Sequence, residues 1–92
     1  MSGLSGTERP AIAHGMRLQW EPAQEAHVLL YPEGMVKLNG SAGAILACCD
    51  GRRTVVQIVA DLEQSYGATG LAGEVMAFVE LALERRWLEL RA

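Results

Sequence analysis

Few side chains in this sequence are of the kinds that do chemistry, and their spacing limits what they can do. The ligand or nucleophile candidates are His14, His27, Cys48 and Cys49. Zinc sites use pairs of CxxC or HxxxH type, and neither spacing occurs. Cys48 and Cys49 are adjacent, so on a helix they point about 100° apart and cannot bridge without distorting the backbone. An extracellular disulfide framework is not expected, and a reducing cytoplasm is the simpler reading. Cys49 falls in an apolar helical stripe, where a thiol serves as a small core residue. Glu80 and Glu84 are one helical turn apart, which is compatible with acid/base work, but a solvated helix face explains them better. No Ser/His/Asp grouping, nucleotide-binding glycine pattern or P-loop is present. The expectation is a protein with no catalytic residue, no metal site and no cofactor.

The elements that hold these residues are legible from periodicity. Residues 1–13 are small, polar and Gly/Ser-rich and read as a flexible N-terminal arm, leaving residues 14–92 as the domain. Met16, Leu18 and Trp20 alternate with Arg17 and Gln19, the pattern of a half-buried strand. Val28–Tyr31 reads as a second strand and Met35–Leu38 as a third, joined by Tyr31-Pro32-Glu33-Gly34, a turn with Pro and Gly where they are favoured. Asn39 or Ser41 caps a first helix carrying Ala42, Ile45, Leu46 and Cys49, which Asp50-Gly51 ends. Thr54 and Gln57 form a capping-box pattern for a second helix with the stripe Val55, Ile58, Val59, Leu62 and Tyr66, stopped by Gly67. Thr69 and Glu74 suit the start of a third helix from about Leu71 to Arg86. Trp87–Leu90 either extends that helix or forms a terminal strand. The expected fold is α+β, a small winged-helix-like domain with three N-terminal β-strands followed by three α-helices.

Bulk properties exclude several function classes. The 92 residues make one domain, half of them hydrophobic and 21% charged. A chain this short buries about 60–65% of its extended surface, so a partner or a second copy adds usefully to its stability. The formal charge of −3, with only eight basic residues, disfavours nucleic acid, whose phosphates need clustered Lys and Arg. The N-terminus lacks the basic start and apolar run of a secretory signal, and no stretch approaches a membrane span. A soluble, cytoplasmic protein is expected.

The third helix is more apolar than a small core needs. Leu71, Val75, Phe78 and Ala82 form one stripe, and Ala72, Met76, Val79 and Leu83 form a second about 100° away. The combined arc of about 160° exceeds the roughly 100° of a helix that covers one side of a core. The strand Met35–Leu38 has one sequential partner, and Lys37 is its only charged side chain. An open strand edge beside an apolar helix face makes a groove for an extended peptide. The candidate groove residues are Met35, Val36, Lys37 and Leu38 on the strand, and Ala72, Met76, Val79 and Leu83 on the helix. The same open edge favours self-association into a homodimer. The rival is a winged-helix DNA-binding protein, since two helices joined by a short turn resemble a helix-turn-helix. The outer face of the second helix, Val56, Gln57, Ala60, Asp61, Glu63 and Gln64, carries no base, and its carboxylates would repel phosphate.

Several motifs carry a family resemblance: Leu18-Gln19-Trp20-Glu21, Leu30-Tyr31-Pro32-Glu33-Gly34, Leu38-Asn39, Ile45-Leu46, Asp50-Gly51 and Trp87-Leu88. Together they resemble the PqqD family of pyrroloquinoline quinone biosynthesis, over about Pro10–Leu90. The resemblance implies a non-catalytic peptide chaperone that binds the precursor peptide PqqA and presents it to the radical S-adenosylmethionine enzyme PqqE. It also implies a RiPP recognition element, in which the peptide adds as a strand beside the third strand and against the third helix. On this chain those positions are Met35–Leu38 and the face bearing Met76, Val79 and Leu83.

Overall fold

The structure is a computed structural model that describes residues 3–91. Its elements run β1 (Arg9–Ile12), β2 (Arg17–Glu21), β3 (Ala26–Tyr31), β4 (Gly34–Lys37), α1 (Gly40–Ala47), α2 (Val55–Tyr66), α3 (Ala72–Glu84) and β5 (Leu88–Arg91). Strands β2, β3 and β4 form an antiparallel sheet in that order. Its register places Leu18 opposite Leu29 and Leu29 opposite Val36. Because side chains alternate along a strand, this row and its neighbours at Met16 and Leu38 lie on one face, turned to the helices. Leu29 is fully buried at the centre of that face.

Among the described residues the fold is α+β, with five strands and three helices. Four strands precede the helices where the sequence pattern predicts three. The extra strand, β1, lies in the segment read as a flexible arm, and pairs antiparallel with β5 from Arg9↔Arg91 to Ile12↔Leu88. Pro10 and Ala11 are buried there, and the Pro10 carbonyl accepts from Gly51 N–H at 2.9 Å. Further upstream, the carbonyls of Gly6 and Glu8 accept from Val56 and Val55 N–H, both at 3.0 Å, which satisfies two donors at the start of α2. The strand partners of residues 9–12 lie at the other end of the chain, so no local pattern announced this strand. Met1 and Ser2, also assigned to the arm, lie outside the described residues.

Helix ends follow the capping residues closely. Asn39 caps α1, its Oδ1 accepting from Ala42 N–H at 2.8 Å. Thr54 and Gln57 complete their reciprocal capping box on α2, and Gly67 closes that helix at φ 60°. Helix α1 ends earlier than the expected Asp50-Gly51, with Cys48 as C-cap. Cys49 nevertheless stays buried, its Sγ directed to the Ile45 carbonyl at 3.2 Å. Helix α3 has no side-chain cap from Thr69; instead Glu63 Oε2 accepts from Leu71 N–H at 3.0 Å. Helix α1 seats against β3 at Gly43, where a Cβ would come within 2.7 Å of His27 Nδ1. Leu29, Leu38, Ile45, Leu46, Val55, Ile58, Val75 and Val79 form the core between sheet and helices.

Two carboxylates tie backbone turns in place. Asp50 accepts from the N–H groups of Arg52 (2.9 Å) and Arg53 (3.0 Å), and those bonds hold its carboxyl down at about 2. Glu8 is held at about 2 in the same way by Ser5 N–H, with Gly6 N–H adding to it. Both folded values lie below the unfolded ones near 4. Each group therefore contributes stability above about pH 4 that is lost as the pH falls toward 2. We expect the thermal midpoint to fall over that window. The Asp50→Asn variant, which keeps an acceptor but no charge, should show a shallower fall by circular dichroism. Asp50 is exposed and Glu8 only half-buried, so the effect is small.

Candidate functional site

Hydrogen-bond phase decides which part of β4 is open. Leu38 N–H donates to the His27 carbonyl at 3.0 Å, so His27 and Leu38 form a hydrogen-bonded pair. Such pairs alternate along an antiparallel ladder. Val36 therefore bonds to Leu29, while Met35 and Lys37 turn their N–H and C=O groups away from β3. Among the described residues no other strand takes these groups up. Met35 is 56% exposed, Lys37 is exposed, and Val36 packs half-buried on the core. The opposite edge, β2, is lined by Arg17, Gln19 and Glu21, linked by side-chain hydrogen bonds of 3.4 Å. Charges of that kind discourage pairing.

Helix α3 borders two hollows, one near each end of β4. One, of about 370 Å³, lies past the end of β4 and is lined by Ala44 and Ile45 of α1, Leu62 and Tyr66 of α2, and Leu71 and Val75 of α3, with Glu74 beside them. The other, of about 380 Å³, lies at the start of β4, between the Tyr31-Pro32-Glu33 turn and Arg85, Arg86 and Trp87. Leu71, Glu74, Phe78, Leu81 and Arg85 fall within an arc of about 80° that joins the two hollows along one flank. Phe78 and Trp87 have ring centroids 6.5 Å apart, and Leu81 is 39% exposed. Alternating spacings of three and four residues, the mark of a narrow helical stripe, make this flank visible in the sequence once the register is known.

The structure separates the candidate groove residues. Met35, Lys37 and Ala72 are exposed, and Met76 and Leu83 are half-buried against the core. Leu38, at 5%, and Val79, at 0%, are core side chains and offer nothing to a ligand in this conformation. Val79 was placed with Met76 and Leu83 because all three share a stripe, but the stripe turns inward at its middle. Met76 and Leu83 stand roughly 160° round the helix from the Leu71–Phe78–Leu81 flank. That flank combines Leu71 and Phe78 of the first stripe with Leu81, which belongs to neither stripe.

Burial pushes the Cys49 thiol up to about 12 and raises that of Cys48, which suppresses the thiolate. Among the described residues no three His, Cys, Asp or Glu side chains group to hold a metal. Glu80 Oε1 is buried without a hydrogen-bond partner, and Glu84 is exposed. On the outer face of α2, Asp61 is engaged by Arg53 at 3.1 Å, and Arg53 also pairs with Asp50 at 3.3 Å. Arg53, the base adjoining the start of α2, is thus neutralised. No described helix is long and apolar enough to cross a membrane.

Comparison with known proteins finds matches along nearly the whole chain. Residues 26–88 match the family described as Coenzyme PQQ synthesis protein D (PqqD). A PqqA binding protein of Stutzerimonas stutzeri is 55% identical over 99% of this chain and 100% of its own. One from Klebsiella pneumoniae is 49% identical over 96% of this chain and 97% of its own. The solution NMR structure of the PqqD part of Methylobacterium extorquens PqqCD, described as a functional and stand-alone RiPP recognition element, superposes with a TM-score of 0.72. It is 36% identical and covers 96% of each chain. With matches of this extent across nearly all its length, the chain belongs to the PqqD family.

Proposed function

We propose that this protein is a non-catalytic peptide chaperone of pyrroloquinoline quinone biosynthesis. It binds a PqqA-type precursor peptide by strand addition to β4 and presents it to the radical S-adenosylmethionine enzyme PqqE in the cytoplasm. The sheet and three helices act as a winged-helix-type module turned to peptide capture, and the same edge allows homodimer formation when no peptide is present. The observation that carries this reading is the outward backbone of Met35 and Lys37, with a hollow bordered by α3 near each end of the strand. The names of the relatives support the same partner.

Energetics set the division of labour. Each added backbone hydrogen bond contributes about 0.5–1.5 kcal/mol net, and ordering each peptide residue costs about 1–2 kcal/mol. Main-chain pairing roughly cancels. Affinity then comes from apolar peptide side chains, worth about 1.5–3 kcal/mol each when buried. The hollow between Ala44, Tyr66 and Leu71 is their natural seat.

Calorimetric titration with a PqqA-type peptide should show one-to-one binding, with a negative heat-capacity change from apolar burial. Absence of heat or spectral change at peptide concentrations of roughly tens of micromolar, about −6 to −7 kcal/mol on the affinity scale, would refute the reading.

A further inference from the structure

The corner where α3 ends carries chemistry that strand addition alone does not use. Arg86 N–H donates to the Leu83 carbonyl at 3.1 Å, and Trp87 N–H to the Ala82 carbonyl at 2.8 Å. That pair of bonds closes the helix with Arg86 in the left-handed region at φ 63°. Helix α2 ends with the same bonding at Ala68 and Gly67, and there the left-handed residue is glycine, at φ 60°. A Cβ is disfavoured in this conformation. The chain thus keeps an arginine where glycine would relieve strain, and strain retained in a fold points to use of the side chain.

The surroundings show what that use is. The Arg85 guanidinium lies 5.5 Å from the centroid of the Trp87 ring, a stacking that pre-orients its donors. Among the described residues no carboxylate lies within ion-pair distance of Arg85 or Arg86, whereas Arg53 has two and Arg91 one. Both arginines line the hollow of about 380 Å³ opposite His14, Met16 and the Tyr31–Pro32 turn, with Glu33 the carboxylate on the same hollow. At the far end of the groove the charge is opposite, for Glu74 lines the apolar hollow. The protein as a whole carries −3, so a locally basic corner is a contrast.

We infer that this corner is a carboxylate-recognition site for the bound peptide and that it sets the peptide's register in the groove. The inference rests on strand addition at β4. Continuity favours the peptide over any other acidic partner: the turn lining the corner opens β4, and the α3 flank ends there. Glu74 and Arg85 are about 16 Å apart along the helix. That is about five residues of extended chain. The ligand class is therefore a peptide with an Asp or Glu about five residues from its apolar anchor.

Arg86→Gly tests this in the full-length protein. The variant should melt at a higher temperature than the parent, yet bind the precursor peptide about five- to tenfold more weakly at low salt. The difference should shrink as salt rises. Changing the peptide's Asp and Glu residues one at a time to the amide should identify one position whose loss matches that of Arg86→Gly and does not add to it. Arg85→Gln provides a second variant that keeps the helix end unchanged in backbone. Unaltered binding by both variants, or equal loss with a carboxylate-free peptide, would overturn the inference. So would unaltered peptide binding combined with weakened capture of the modifying enzyme, which would make the corner an enzyme-docking face. In each of these outcomes the parent still binds peptide; a parent that binds none defeats strand addition itself.

Discussion

Proline at Lys37 is expected to leave the domain folded and to weaken peptide binding tenfold or more, while proline at Val36 destabilises the fold itself. The two positions are neighbours on one edge strand and differ only in hydrogen-bond phase. Val36 spends its N–H on Leu29, whereas Lys37 turns its N–H outward. Proline removes that donor and is tolerated on an edge strand where the N–H faces solvent. In Lys37→Pro the peptide carbonyl that would pair there is left unsatisfied, at a cost of about 1–3 kcal/mol. In Val36→Pro the orphaned group is the Leu29 carbonyl inside the fold. Lys37→Ala separates loss of charge from loss of the donor and should bind nearly as well as the parent. Thermal melts and calorimetry on the three variants suffice, and equal binding by Lys37→Pro and the parent would rule out strand addition at β4.

Aspartate at Val79 is expected to abolish folding, and aspartate at Leu81 is expected to spare it. Val79 is fully enclosed, so a carboxylate there either stays charged without a partner or takes up a proton, and either way costs several kcal/mol. A domain of this size has roughly 5–14 kcal/mol in total. Leu81, two residues on, is 39% exposed and lies on the flank that joins the two hollows. Its substitution should cost at most about 1 kcal/mol of stability. If it reduces peptide affinity about tenfold, the flank Leu71–Phe78–Leu81 lines the groove. If Leu81→Asp binds like the parent, the ligand uses another face. The fold half of the prediction is read by circular dichroism, independently of any peptide.

The helices were legible because their signals are local. The Thr54–Gln57 box, Asn39 as a cap and Gly67 as a left-handed stop each act within four residues, and each is found where the pattern placed it. The β3–β4 hairpin is local in the same sense, its turn residues adjoining the strands they connect. Strand β1 and its pairing with β5 were not legible, and β5 stood only as one of two alternatives, since each strand is four residues long and its partner lies at the opposite end of the chain. Cys49 shows a milder case: its apolar periodicity predicted burial correctly, although α1 stops before reaching it.

The amino-acid pattern alone determined the α+β class, three helices with the N-caps of the first two, an edge strand with a single guarding lysine, and the absence of clustered bases. Those are properties of spacing and residue type over a few positions. Only the tertiary structure decided which side of α3 stays reachable. Two apolar stripes on one helix are equivalent until neighbours pack against them. Here the core encloses Val79 and leaves Leu81 partly exposed, and the end of α3 meets the β3–β4 turn to gather Arg85, Arg86 and Trp87 around one hollow.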